Sequence, residues 1–402
     1  MKKTYDMVIV GAGVIGSALA LDLAKQGYNI ALLDVMQPSF APTNPERVIA
    51  LNEGSARYLD KLGLWQDILQ QGAGWIKHIA VSEPGNAGKM DMSHQALNDA
   101  PALGYVLEIR HVLQAIQKQF SSSVTTFYGA RCLGFFQDEH GVSLNIHMAE
   151  GEQTIEASLL VGADGTNSFV RKYAGIQTYG WDHNRLGIVA SIQCEHGHND
   201  TAYECFKEDG PLALLPLDDG RFSLVWSVAP KIGVVLLSLN DEGFKHALAR
   251  EVGSEVSEKI GRLISVGERA SFPLELRIAK SFAQQHVLLV GNAAHTIHPI
   301  AGQGMNLGLR DVAVLADILQ QNWAGKGLNK PIVGQTYAEQ RRLDTLAVAG
   351  FTEGVLETFA SSFVPQRWLR GLGLNAMQNT PFCKQFLLQQ AAGVGQQVGL
   401  KS

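Results

Sequence analysis

The densest run of residues able to do chemistry is HTIHPIAGQGMNLGLRD, His295 to Asp311. It sets three glycines, one proline and two histidines between an apolar run at 286–290 and a segment patterned as a helix. His295 and His298 are three apart, a spacing that invites a metal. No third ligand accompanies them at a suitable distance, so no metal is expected. Either ring could act as a general base if geometry brought it to a reacting proton. The glycines and Pro299 point to other chemistry. A stiff loop ahead of a helix N-terminus offers backbone N–H groups to an anionic or electron-accepting group.

A second set lies at the other end of the chain. Gly11, Gly13 and Gly16 form G-x-G-x-x-G, and Asp34 follows about 20 residues later. In this pattern Gly11 makes a tight turn, Gly13 lets a pyrophosphate reach the backbone, and Gly16 lets helix and strand pack closely. The acid addresses a ribose 2′-hydroxyl, which favours FAD or NAD over NADP. The elements this motif needs are present in order. Met7 to Val10 reads as a buried strand, Ala18 to Gln26 as a helix closed by Gly27, and Ile30 to Leu33 as a second strand.

Beyond Asp34 a Pro-rich loop (Pro38, Pro42, Pro45) leads to a helix expected over Asn52 to Leu62. Arg47 lies on that approach, as a ligand contact or as a solvated loop arginine. Leu159 to Val161 reads as a strand entering Gly162-Ala163-Asp164-Gly165, with a short helix from Ser168 to Tyr173. Asp164 and Gly165 stand where α/β sheets contact ligands. The competing role for Asp164 is an Asx turn that caps the helix. From Leu186 to about Val235 the chain becomes β-rich, with a hairpin signal at Asp218-Asp219-Gly220. This is expected to be an antiparallel module, with Tyr203, Phe206, Phe222 and Trp226 in its core rather than on a ligand wall. Helices are expected over 239–262, and another from Met305 to Leu319.

Composition narrows the class. Lys plus Arg (33) does not exceed Asp plus Glu (38), so no nucleic-acid partner is expected. Cys132, Cys194, Cys205 and Cys383 form no CxxC pair and read as free thiols in a reducing compartment. No apolar run reaches the roughly 18 residues of a membrane span, and the basic start is interrupted too early for a signal peptide.

Taken together, G-x-G-x-x-G with Asp34, GADGTNSFVR and VGNAAHTIHPIAGQGMNLGLRD resemble the group A flavoprotein aromatic hydroxylases. The branch they most resemble is the ubiquinone-biosynthesis hydroxylases, and the likeness covers roughly residues 4–350. The resemblance implies an α/β fold with α+β elements, similar to para-hydroxybenzoate hydroxylase. A Rossmann-like FAD-binding domain (1–75, 100–180 and 270–350) would interleave with an antiparallel-sheet substrate domain (76–99 and 181–269), followed by C-terminal helices (351–402). It also implies roles for single residues. Gly11, Gly13 and Gly16 would hold the FAD pyrophosphate and Asp34 the adenosine ribose. Arg47 and Arg110 would lie on the flavin side, and Asp164 and Gly165 near both FAD and the nicotinamide path. Gly291 and Asn292 would meet the ribityl chain, where Asn292 replaces the usual acid. Pro299, Gly302, Gly304, Met305 and Asn306 would border the isoalloxazine ring.

The activity so implied is hydroxylation of the aromatic ring of a polyprenylated phenol in ubiquinone biosynthesis. Non-covalent FAD would be the cofactor, NADH or NADPH the electron donor and O₂ the oxidant, acting through a flavin C4a-hydroperoxide. Pro299 and His298 are the candidates closest to the reacting ring, with no base assigned. The alternatives are a related hydroxylase of a soluble phenolic substrate and, in another class, an FAD-dependent oxidase. A lipophilic aromatic substrate suits a cytoplasmic protein that touches the inner face of the membrane or a biosynthetic complex. Arg367, Trp368, Leu369 and Arg370 could form such a contact or belong to a helix packed on the body.

Overall fold

The chain is described here by a computed structural model covering residues 3–86, 88–97, 100–322, 330–360, 370–371 and 378–394. Its first sheet is built on parallel strands. Lys3–Val10 lies between Ile30–Asp34 and Gly151–Gly162; Val124–Tyr128 extends one side and Val287–Leu289 the other. These runs are apolar and β-branched because both faces are covered. Met7, Val8, Ile9, Leu159, Leu160, Val161 and Val287 to Leu289 are all essentially inaccessible. The strands end in register, Val10 beside Leu33 and Gly162, and Gly162 beside Leu289. A glycine turn follows at that edge in three places, which gathers the three motifs at the carboxyl ends of the strands.

The expected elements occur with small shifts. The first helix spans Val14–Lys25, Asn52 caps Glu53–Lys61, and Ser168 caps Phe169–Tyr173. The loop helix runs Gln303–Asn322. One element differs. The β-rich reading continued to about Val235, but Pro230–Ser238 is a helix. Pro230 sits in its first turn, where its fixed φ suits a helix and its missing N–H costs nothing.

A second, mainly antiparallel sheet of nine strands carries the chain away from the first. Thr178–Cys194 pairs with Ala270–Ala279 on one side and Phe222–Val228 on the other; Leu212–Pro216, Thr201–Cys205 and His78–Ser82 follow. One face packs under the helix Asp241–Ile260, which buries Phe244, Leu248, Val252, Val256 and Ile260 at a spacing of four. Tyr203, Phe222 and Trp226 belong to that core, as expected, and Phe206 is buried against Phe359 with ring centroids 4.5 Å apart. The opposite face of this sheet looks toward the His295–Asp311 loop. A small sheet of Val48–Asn52, Gly104–Glu108 and Gly74–Ile76 lies alongside.

Arg370 packs on the body. It is buried, pairs with Glu83 at 2.7 Å and donates to the Thr358 carbonyl at 2.9 Å. Its side chain is thus spent on contacts within the body. Arg367, Trp368 and Leu369 lie outside the described residues. Among the described residues no helix is long and apolar enough to cross a membrane.

Candidate active site

The three glycines of the first motif differ in what surrounds them. Gly11 has φ +108°, and a Cβ there would lie 2.3 Å from the Ala163 carbonyl oxygen. A Cβ on Gly16 would lie 1.9 Å from the Gly11 carbonyl oxygen. These two glycines let backbone pack on backbone. A Cβ on Gly13 would meet nothing within 4 Å. Gly13 is also the N-cap of Val14–Lys25 and gives no side-chain cap, so the first N–H groups of that helix face open space. This cradle fits the diphosphate of a dinucleotide. Asp34 accepts from Ala12 N at 2.7 Å and Met36 N at 2.9 Å, which braces the turn. Its remaining lone pairs are free for a ribose hydroxyl.

Asp164 caps the short helix and keeps one oxygen unused. One carboxylate oxygen caps the short helix, accepting from Phe169 N at 2.7 Å and Val170 N at 3.1 Å. The other is buried with no protein partner, which leaves it for a ligand. A Cβ on the adjacent Gly165 would meet nothing within 4 Å. Arg171, buried, ties this segment to the next by donating to the Ala293 carbonyl and the Thr166 carbonyl, each at 2.7 Å. Asn292 is exposed at the same edge.

The His295–Asp311 stretch is held from within. Asp311, fully buried, accepts from Gly291 N at 2.8 Å, contacts His295 Nε2 at 2.6 Å and accepts from Arg341 Nε at 2.6 Å. Burial alone would raise its carboxyl pKa, but His295 and Arg341 outweigh burial and hold it below the usual range. His295 is thus committed to Asp311 and positions the loop. Asn306 is equally committed. Its oxygen accepts from Asn52 N and Ser55 Oγ, and its amide donates to the Ala50 and Gly302 carbonyls. Four bonds fill its capacity. Gly302 has φ +61° and a Cβ there would lie 2.6 Å from the Ala50 Cβ, so the loop presses on the Val48–Asn52 strand. Gly304, by contrast, has open space before it, and Met305 is half-buried beside it.

Arg47 and Arg110 come to one edge of the small sheet. The Arg47 carbonyl accepts from Ile109 N at 2.9 Å, and Val48 is in register with Glu108. The Arg47 side chain is exposed, whereas Arg110 is held by Glu108 through two bonds of 2.7 and 2.9 Å.

Between the loop and the free face of the large sheet lies a small cavity, partly open to solvent. Pro299, Ile300 and His298 form one wall; Glu204, Ala213, Val225, Ser227 and Leu274 are among the residues of the other. Pro299 and His298, the candidates nearest the reacting ring, thus line this cavity. Neither His298 nitrogen has a protein partner, and burial, with His183 and Arg185 nearby, pushes its pKa down to about 3. His298 is a neutral hydrogen-bonding group at working pH rather than a strong base. The His183 ring meets it edge to face at 5.4 Å, and Trp181 lies 6.3 Å beyond. Glu204, Ser227, Arg171 and Asp311 were not among the candidates read from sequence. Arg171 and Asp311 lie inside the motifs GADGTNSFVR and VGNAAHTIHPIAGQGMNLGLRD without being singled out, and Glu204 shows as a single acid inside the strand-like TAYECF. Among the described residues no cluster of three or more His, Cys, Asp or Glu is placed to hold a metal.

Comparison with known proteins agrees with this layout. The profile of the FAD binding domain family matches residues 4–351. Ubiquinone hydroxylase UbiL of Rhodospirillum rubrum is 34% identical over 97% of this chain and 90% of its own length. The 3-demethoxyubiquinol 3-hydroxylase of Escherichia coli is 30% identical over 97% of this chain and 98% of its own. In fold, p-nitrophenol 4-monooxygenase PnpA of Pseudomonas putida superposes with a TM-score of 0.81 at 19% identity, covering 99% of this chain and all of that one. The fold is that of the para-hydroxybenzoate hydroxylase-like flavin hydroxylases. With three glycine turns at one sheet edge and a small cavity beside them, the chain belongs to the FAD binding domain family, as an FAD-dependent monooxygenase.

Proposed function

We propose that this protein hydroxylates the aromatic ring of a polyprenylated phenol on the way to ubiquinone, using FAD, NAD(P)H and O₂. The cavity supports this reading most directly. Its lining sets the apolar Pro211, Ala213, Val225, Leu274 and Ile300 beside the polar Glu204, Ser227 and His298, a composition that suits an aromatic ring bearing a hydroxyl. Gly11, Gly13, Gly16 and Asp34 would hold the adenosine diphosphate half of FAD, with Asp164, Gly165, Gly291 and Asn292 near its middle. Pro299 to Asn306 would border the ring system. When bound, FAD reduced by NAD(P)H supplies the activated oxygen. The protein orients the substrate ring under Pro299 and keeps water from the reacting atoms. Incubation with ortho-prenylphenol and ¹⁸O₂ is expected to give a phenol bearing one labelled oxygen, with one NAD(P)H consumed per product. Hydrogen peroxide alone, with the phenol recovered unchanged, would instead assign an oxidase.

The tail would leave past His298 and His183 to Trp181, which is 53% exposed. Trp181→Ser is expected to raise KM severalfold for a long-tailed phenol and to leave KM for ortho-prenylphenol unchanged. Steady-state kinetics on both substrates checks this, and equal effects on the two would remove Trp181 from the tail's path. The lipophilic substrate is the reason to place the protein at a membrane surface or in a biosynthetic complex.

A further inference from the structure

Glu204 is placed where nothing in the fold uses it. It lies mid-strand in Thr201–Cys205, opposite Ala213 on one side and Val81 on the other. Successive strand residues face opposite ways. Tyr203 and Cys205 enter the core under Asp241–Ile260, so Glu204 faces the cavity. It is 7% exposed, and among the described residues its carboxyl has no hydrogen bond or ion pair. An unpaired buried carboxyl is costly and a strand position of this kind ordinarily holds an apolar residue.

We infer that the Glu204 carboxylate takes the proton of the substrate's phenolic hydroxyl in the cavity beneath Pro299. This rests on the function proposed above. In the step the phenol O–H bond breaks, its electron pair stays on oxygen, and the proton bonds to a Glu204 carboxylate oxygen. No electron is transferred. The ionised ring is the more electron-rich nucleophile, and Glu204 gives the same proton back to the phenolate oxygen of the product before release.

The surroundings favour this exchange. The titratable group across the cavity is His298, with His183 and Arg185 behind it. The Leu212–Pro216, Phe222–Val228 and Ala270–Ala279 strands, with Pro211, bring only Pro211, Ala213, Val225, Ser227 and Leu274, none of which titrates. His78–Ser82 brings Val81. Burial pushes Glu204 up to about 8. A free phenol titrates near 10, so the transfer is uphill by about 2 units rather than about 6 for an ordinary carboxylate. His298 and Ser227 remain to share hydrogen bonds with the ring oxygen.

The test uses the FAD-loaded enzyme with ortho-prenylphenol in single-turnover hydroxylation across pH. The wild-type rate is expected to rise through about pH 8. Glu204→Gln should lower the rate by about 10²- to 10⁴-fold and move its pH dependence toward the phenol's own ionisation. Flavin content and probe affinity should stay within a few-fold, and Glu204→Asp should recover part of the rate together with the acid limb. Glu204→Gln and Glu204→Leu should melt at or above wild type at pH 8. The folded pKa is raised, so wild-type stability falls as pH climbs from the unfolded value toward the folded one, and the variants lack that fall. Hydroxylation by Glu204→Gln within threefold of wild type, with the same pH profile, overturns the assignment. A flavin-loaded wild type that hydroxylates no phenol overturns the substrate reading itself.

Discussion

Gly13→Val should give a folded protein that is isolated without flavin colour, whereas Gly16→Val should fail to fold stably. Both residues sit in one turn and one motif, so a motif-level account treats them alike. Their surroundings separate them. A Cβ on Gly13 meets nothing within 4 Å, and its φ of −69° suits any residue. Valine there adds no protein clash and removes no cap, because Gly13 supplies none. Its methyl groups instead occupy the space the proposed diphosphate must enter, in front of the helix N-terminus. A loss of about 3 kcal/mol in binding is roughly a hundredfold in affinity. Gly16 is the reverse case. Its Cβ would lie 1.9 Å from a carbonyl oxygen of Gly11. Overpacking ordinarily costs about 1–3 kcal/mol, and here the obstacle is backbone that cannot rotate away. The first strand and first helix must separate, which takes a large share of the roughly 5–15 kcal/mol that holds a domain together. Flavin absorbance and thermal melting of the two variants check both halves. A Gly13→Val protein that retains full flavin would move the diphosphate elsewhere.

The same contrast explains how much was legible in the sequence. Gly11 and Gly302 were readable because positive φ and close backbone approach demand glycine, and such demands are local. Asp164 was readable in two ways that do not compete, because one carboxylate oxygen caps the helix and the other is left without a protein partner. Pro230 hid a helix because its apolar neighbours Ile232, Val234 and Val235 read as a strand, yet they are exposed on a short helix. Glu204 was visible only as an alternating polar position, which in an isolated strand points to solvent. The covering that turns it inward is the loop at Pro299, some 95 residues later. Arg171 on the Ala293 carbonyl and Arg341 on Asp311 are of the same kind. Periodicity carries local conformation, but it does not carry which distant segment covers a face.

Asp311 illustrates this most sharply, because its removal is expected to cost about 3–5 kcal/mol, although no ligand is needed to see the loss. The Arg341 guanidinium is 1% exposed and Asp311 not at all. Asp311→Ala leaves Arg341 with Asp344 as its remaining carboxylate, and strips His295 Nε2 and Gly291 N of their acceptor. Each orphaned buried donor carries its own desolvation penalty. Asp311→Asn keeps the shape but turns an amide N–H₂ toward either His295 or Arg341, so a donor faces a donor and most of the loss persists. The sign with pH follows from the cause. The Asp311 carboxyl is held below the usual carboxylate range, so its contribution is full above the unfolded pKa of about 4. It is lost as pH falls through the lower, folded value. Wild type and Asp311→Ala should therefore differ most at neutral pH and converge in acid. Because Gly291 N loses its anchor, the flavin should also dissociate faster at temperatures where the variant is still folded. Melting curves from pH 3 to 8 with flavin release followed in parallel measure both effects. Equal melting of the two proteins at neutral pH would leave the buried His295–Asp311–Arg341 group without a part in holding the loop.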